Sequence, residues 1–507
     1  MPDTEVADQR AGLEAWFSRH HADEEPTYAE THVSILVFGR ERVWKLKKAV
    51  AYPFIDLSTR ELRRQQCERE VALNRRLAPD VYLGVVDLDD DSGTVVDHLV
   101  EMLRMPDDRR LAALATRAGA AEPCLGRVAD VIARFHAGAP TGGAIDASAT
   151  RDAVLAHWNE NIAELYPHAG SVIELVKLER VALLARRYLD GRAALFDERV
   201  AAGRARDGHG DLLADDIFCL ADGPRVLDCL EFDDHLRWGD TLADVAFLAM
   251  DIERLGRADL ARAFLDRYAN DASDTWPSSL EDLYIASRAL VRSKVACLRA
   301  AGGVTGAANS ARGLLTLASE HLERGRVRLV LIGGPPATGK TTIAGAVARQ
   351  LGWPVLHSDE IRKELAGLRA TTRMPAGLDE GIYAGEWSSR TYDALCSRAR
   401  ELLEHGRNVV LDASWSETAR RADAALVAAE TSSDLLAFRC DVPVDVAIGR
   451  AASRASIGTD ASDAKDQIVR RVAARFDPWP EARVIDTMTS TETAVAEVVG
   501  ATRQPAQ

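Results

Sequence analysis

A chain of 507 residues is too long for one hydrophobic core, so two or more domains are expected. Hydrophobic residues at 47% and charged residues at 28% make an ordinary globular mixture, which excludes a disordered or fibrous chain. The net charge of −15, nearly all of it before Arg326, disfavours nucleic acid and anionic membranes as partners. No apolar run, Val245–Met250 included, approaches the roughly 20 residues that a bilayer requires. The polar, acidic stretch Met1–Arg10 lacks the order of a signal peptide. Seven cysteines (Cys67, Cys124, Cys219, Cys229, Cys297, Cys396 and Cys440) are odd in number and never form a CxxC pair. Buried free thiols in a cytoplasmic protein are therefore expected.

In chain order, strand-like pieces gather early, at Ser34–Phe38, Arg42–Lys47 and Val95–Met102. A largely helical stretch follows from about Leu111 to Ala202. This order predicts an α+β domain of two lobes with a cleft between them. Only eight lysines occur, yet Lys45, Lys47 and Lys48 crowd into one strand. An arginine-rich chain that keeps lysine there points to a need for a compact ammonium, and strand alternation puts Lys45 and Lys47 on one face. A small-residue, glycine-rich stretch, Ala300–Ser310, marks a seam, and Ala311–Glu323 reads as one more helix. Beyond Arg326, short apolar strands alternate with helical segments, the pattern of a parallel α/β sheet. Its strands are expected at Arg328–Ile332, Val355–His357, Asn408–Leu411, Leu435–Arg439 and Arg483–Asp486. The expected division is a domain over 1–305, a linker and helix over 306–325, and a second domain over 326–500.

Two motifs fall in the first domain. His209-Gly210-Asp211-Leu212-Leu213-Ala214-Asp215-Asp216-Ile217 resembles the catalytic loop of aminoglycoside phosphotransferases, which share the protein-kinase fold. The resemblance implies that Asp211 takes the proton of an accepting hydroxyl and that Asp216 binds metal. Asp216 stands where the family has Asn, which adds negative charge beside metal and nucleotide. Val226-Leu227-Asp228-Cys229-Leu230-Glu231-Phe232-Asp233 resembles the second metal site, with Asp228 as ligand. Asp240 or Asp244 matches the acid that opens the following helix. The same likeness implies that Lys45, or Lys47 as the alternative, contacts nucleotide phosphates and pairs with Glu70. Arg134-Phe135-His136-Ala137 reads as core and interlobe packing.

The second domain opens on Gly334-Pro335-Pro336-Ala337-Thr338-Gly339-Lys340-Thr341, followed by Thr342. The spacing GxxxxGK[ST] between a strand and a helix is that of a phosphate-binding P-loop. Its backbone N–H groups cradle phosphates, Lys340 reaches the terminal phosphates, and the Thr341 hydroxyl holds Mg²⁺. Asp359, with Arg362 three residues on, ends the next strand. Here the sequence resembles P-loop kinases of the polynucleotide kinase, zeta toxin and chloramphenicol phosphotransferase group, which makes Asp359 the general base and Arg362 the substrate-orienting group. An Asp there also serves to cap a helix. Asp412, at the end of the strand after that, lies where such kinases keep an acid near metal or substrate. Arg450 and Arg454, four apart on one helix face, match the lid arginines that neutralise charge on the transferred phosphoryl group.

Together the resemblances cover about residues 25–300 and 326–490. They are similar to two-domain bacterial proteins in which an aminoglycoside phosphotransferase is fused to a P-loop AAA-type kinase or ATPase. The expectation is a cytoplasmic, ATP- and Mg²⁺-dependent phosphotransferase with two nucleotide sites and a hydroxyl-bearing small molecule as acceptor. One alternative makes the first domain a degenerate, ligand-binding regulator, and another makes the chain a nucleotide-dependent interaction switch.

Overall fold

The computed structural model describes residues 2–52, 55–369, 385–455, 470 and 473–504, the side chains of 2–5 and 454–455 excepted. Arg454 therefore lies outside the described side chains. The chain forms two compact units. The first comprises Met1–His157, Glu198–Thr275 and Tyr284–Ala318; the second comprises Trp158–Asp197, Trp276–Leu283 and Ser319–Gln507. Hence the second unit takes in two segments that precede the glycine-rich seam.

The first unit is of the α+β class. Its five-stranded antiparallel sheet runs in the order Thr27–Glu30, Ser34–Phe38, Arg42–Lys47, Val95–Leu103, Tyr82–Asp89. Alternation along the middle strand sorts the side chains onto two faces. Trp44 and Leu46 join Leu13, Trp16 and Phe17 of the N-terminal helix Pro2–His20 in one core. Val43 faces the other way, into a core with Cys67 and Val71 of the helix Arg60–Asn74. Lys45 and Lys47 share Val43's face by period, so both lysines turn toward the helix that carries Glu70. The apolar run Val245–Met250 lies within the helix Thr241–Arg254 and is buried throughout. Among the described residues, no helix is long and apolar enough to cross a membrane.

The structure corrects the expectation for two cysteines. Cys124, on the helix Glu122–Gly138, and Cys219, on the strand Ile217–Cys219, form a disulfide. Their partnership spans 95 residues, a separation from which spacing rules say nothing. Cys67, Cys229, Cys297, Cys396 and Cys440 are free thiols, all buried except the half-buried Cys396.

The second unit is α/β. Five parallel strands run in the order Val355–His357, Val409–Asp412, Arg328–Gly333, Asp434–Asp441, Arg483–Asp486. The strand leading into the P-loop is thus central, and all six of its residues are buried. The helices Lys340–Leu351 and Thr491–Thr502 add Ile343, Val347, Val495 and Val498 to the core around Val330, Ile332 and Phe438. The fourth strand outruns its apolar stretch because Asp434 is buried at its start, paired with Arg187 and Arg326. A charged residue neutralised by distant partners does not register in a hydrophobicity pattern.

Candidate functional sites

In the first unit, the candidate residues converge on the Lys45–Glu70 pair. Lys45 Nζ lies 2.9 Å from Glu70 Oε1 and 3.1 Å from Asp228 Oδ1. Lys47 Nζ lies 2.5 Å from Glu70 Oε2 and 2.6 Å from Glu231 Oε1. One buried carboxylate therefore holds two ammoniums, and each ammonium reaches a second acid on the segment Asp228–Glu231. Burial opposes both charges, but the surrounding carboxylates outweigh it and raise both lysine pKa values. Glu70 is held down at about 2 by the two lysines in spite of its burial.

The loop carrying Asp211 is built by backbone bonds to buried acids. Asp244 accepts from His209 N and Gly210 N, each at 2.8 Å, and from His136 Nε2 at 2.9 Å. His136 in turn meets the Tyr268 hydroxyl at 2.7 Å. Asp251 accepts from Ala214 N at 3.0 Å. Asp240 is the N-cap of the helix Thr241–Arg254 and pairs with Arg199, so of the two acids weighed from sequence only Asp244 touches the loop. Gly210 has φ 86°, and a Cβ there would lie 3.0 Å from Arg237 Cγ. Asp228 adopts φ 61° without being glycine, its N–H 3.3 Å from the Tyr82 hydroxyl. That strained conformation turns its carboxylate to Lys45.

Burial raises the Asp211 pKa to about 6, with Arg292 opposing the shift. Burial, then Asp228 and Asp211, push Asp216 well above the ordinary carboxylate range. Asp228 raises both Asp211 and Asp216, and Asp211 raises Asp216 further, so three carboxylates act on one another electrostatically, a donor set that suits a divalent cation. No three His, Cys, Asp or Glu side chains converge as a ready-made metal cage among the described residues. Mg²⁺ needs only one or two carboxylates when phosphate oxygens and water complete its shell.

In the second unit, positive φ at Gly334 (138°), Ala337 (64°) and Gly339 (94°) turns the P-loop back on itself. Pro335 and Pro336 have no N–H, so the donors available to phosphate begin at Ala337 and run into the helix starting at Lys340. Gly334 N donates to the Ser414 carbonyl oxygen at 3.0 Å, and Thr338 Oγ1 to that of Pro335 at 2.9 Å. Thr341 and Thr342 are exposed on the first turn of the helix, and Lys340 is half-buried.

Parallel register sets His357 and Ile332 opposite Asp412 at the carboxyl ends of their strands, where open α/β sheets bind ligands. His357 Nδ1 lies 2.8 Å from Asp412 Oδ2. That hydrogen bond raises the imidazole pKa. Asp412 Oδ1 is buried with no hydrogen-bond partner among the described residues. A buried carboxylate oxygen without a donor is costly, and a cation bound beside Thr341 would offset that cost. Asp359 is 52% exposed on the first turn of the helix Ser358–Leu365 and pairs with Lys363 at 2.8 Å. Arg362 acts electrostatically on Tyr392, whose hydroxyl lies 3.0 Å from Ser414 Oγ. Arg450 donates to Thr487 twice, to Oγ1 at 3.1 Å and to the carbonyl oxygen at 2.8 Å.

His357, Thr487, Asp251, and Glu231 as a partner of Lys47, had no motif to announce them. Only the position of His357 at a strand end, before an Asp, offered a hint. A cavity of about 20 Å³ in the second unit, lined by Leu184, Arg192, Leu283 and Val327 among others, includes none of the candidate residues. It has room for about one water.

Residues 329–479 match the AAA domain family. Over 480 residues the chain is 41% identical to the uncharacterized protein Rv2004c of Mycobacterium tuberculosis, covering 94% of this chain and 96% of the relative. A choline/ethanolamine kinase family protein from Mesorhizobium loti is similar in structure at TM-score 0.40 and 13% identity, covering 63% of this chain and 95% of that one. A gluconokinase from Sinorhizobium meliloti is similar at TM-score 0.24 and 16% identity, covering 35% and 91%.

Proposed function

The chain belongs to the family of its full-length mycobacterial relative, and from that premise we propose an ATP- and Mg²⁺-dependent phosphotransferase with two nucleotide sites. Each site moves the γ-phosphoryl group to the hydroxyl of a small molecule in the cytoplasm. The observation that carries the reading is the P-loop of Gly334–Thr341 beside the buried Oδ1 of Asp412, which has no hydrogen-bond partner among the described residues.

At that site, Lys340 and the loop N–H groups hold the phosphates, while Thr341 and Asp412 would hold Mg²⁺, which neutralises charge on the phosphates when bound. Asp359, once released from Lys363, accepts the proton of the acceptor hydroxyl, and Arg362 orients the acceptor. Arg450 and Arg454 serve the transferred phosphoryl group. In the first unit, Lys45, positioned by Glu70, contacts phosphate oxygens. Asp216 and Asp228 would hold the metal, and Asp211 is the base. The division into domains over 1–305 and 326–500 is part of the same proposal.

The test is ATP consumption by the full chain against a library of hydroxyl-bearing metabolites. Wild type, Lys340→Ala and Asp211→Ala are compared. Each substitution should remove one acceptor class and spare the other; turnover indifferent to both rejects the proposal. The carboxylate at Asp216 favours a second reading, in which the first unit binds nucleotide and regulates. Under it, Lys340→Ala alone abolishes all transfer while ATP still binds.

A further inference from the structure

Two arginines act electrostatically on Asp211. Arg288 and Arg292 stand one turn apart on the helix Ser278–Ala301 and so project from one face. Arg292 Nη1 lies 3.9 Å from Asp211 Oδ1, an approach beyond hydrogen-bonding distance. Arg288 Nε donates to the Ala243 carbonyl oxygen at 2.9 Å, and its guanidinium sits 5.0 Å from the centre of the Phe247 ring. These contacts fix the plane of the fork, and among the described residues no carboxylate pairs with it. Asp244, which acts on Arg288 electrostatically, already accepts from His209, Gly210 and His136.

A half-buried guanidinium without a carboxylate is costly to keep unless a ligand supplies the countercharge. Its planar fork matches the two oxygens of a carboxylate or phosphate. An amine-bearing acceptor would meet two positive charges here. Asp211 meets Arg292 only at 3.9 Å and is the proposed base, while Asp228 already pairs with Lys45, so these acids offset the two charges only in part.

We propose that the acceptor of the Asp211 site is an oxyanion-bearing alcohol whose carboxylate or phosphate seats on Arg288 and Arg292 while its hydroxyl faces Asp211. This rests on the phosphotransferase reading of the first unit. In the reaction, the acceptor oxygen forms a bond to the γ-phosphorus, and the bond from that phosphorus to the β–γ bridging oxygen breaks. ADP leaves with the electron pair, and the Asp211 carboxylate receives the hydroxyl proton. Arg288 and Arg292 touch only the acceptor's anionic group, so they select the substrate rather than drive the bond change.

The experiment uses the full chain with Lys340→Ala, so that turnover reports the Asp211 site. Two matched acceptor sets are offered with Mg²⁺ and ATP: glycerol, glycerate, glycerol 3-phosphate and serinol; and glucose, glucuronate, glucose 6-phosphate and glucosamine. An anionic member should be used at least ten-fold better than its neutral and cationic counterparts, and the carboxylate and phosphate arms tell which oxyanion fits. Arg292→Gln and Arg288→Gln should each raise the KM for that acceptor about ten-fold and leave the KM for ATP unchanged, with partial recovery in Arg292→Lys. Arg292→Gln keeps the test sound if Arg288→Gln fails to fold, since Arg292 makes no hydrogen bond among the described residues. Calorimetric titration of the same acids, with a non-hydrolysable ATP analogue present, separates the two claims. Binding that Arg292→Gln abolishes, without turnover, overturns phosphotransfer but supports the anion site. Preference for glycerol, glucose or an amine, or no binding of any anion, overturns the inference.

Discussion

Thr487 donates its hydroxyl hydrogen to the Thr338 carbonyl oxygen at 2.6 Å and accepts from Arg450 Nη1 at 3.1 Å. One buried hydroxyl thus ties the P-loop to Arg450 on the helix Val444–Ala455. Thr487→Val keeps the shape but strands both partners, at about 1–3 kcal/mol. We expect about a ten-fold rise in KM for ATP at the P-loop site with little change in kcat, and recovery in Thr487→Ser. Steady-state kinetics on the three proteins checks it, and an unchanged KM in Thr487→Val would dismiss the tie as incidental.

The lysine pair invites a stability experiment. Lys47 is buried between Glu70 and Glu231. Lys47→Met leaves Glu231 buried without its ammonium, a loss of about 3–5 kcal/mol in urea unfolding. Lys47→Met combined with Glu231→Leu should regain a large part of that loss, because neither charge then remains. If the double variant is as unstable as the single one, the pair is not the source of the cost.

Acid stability should carry opposite contributions from two residues of one loop. Burial holds the His209 pKa at about 4 against an ordinary 6.5. Between those values the unfolded chain binds the extra proton, so stability falls as pH drops through that window, by up to about 3 kcal/mol. Asp211, raised to about 6 by burial, works the other way: its contribution is present at low pH and is lost as pH rises through about 6. Replacing His209 with Gln removes only the first effect. The stability of wild type relative to His209→Gln should therefore grow between pH 4 and 6.5 in Mg²⁺-free urea titrations. A difference that is flat with pH refutes the assignment.

Gly334 tests the P-loop's backbone. A Cβ there would lie 2.5 Å from the Cys440 carbonyl oxygen, at a φ of 138°. Gly334→Ala should weaken nucleotide binding at least ten-fold and lower the melting temperature. Gly345, inside the helix Lys340–Leu351, meets only the flexible end of Arg349. Gly345→Ala should therefore be neutral or stabilising by about 0.5–1 kcal/mol. Fluorescent-nucleotide titration and thermal melts compare the two, and tight binding by Gly334→Ala would mean that the loop tolerates the side chain.

The parallel sheet was legible because each strand is a short apolar run between helical segments, as at Leu329–Ile332. The antiparallel sheet was half legible. Thr27–Glu30 is largely exposed and carries no apolar signal, and Tyr82–Asp89 mixes faces through register shifts at Tyr82/Gly84 and Leu88/Asp89. Among candidate residues, those in contiguous motifs could be named from spacing. His357 became visible only when parallel register set it opposite Asp412, and Thr487 only when its strand end came beside Thr338. The Cys124–Cys219 bond was hidden for the same reason, since its partners meet only after folding.

Because Glu70 holds both ammoniums of the first unit in their charged form, neither Lys45 nor Lys47 offers a lone pair near neutral pH. Acylating reagents that seek free amines should therefore pass over these two lysines and report first on those outside the cluster. A labelling map of the resting protein will understate this site.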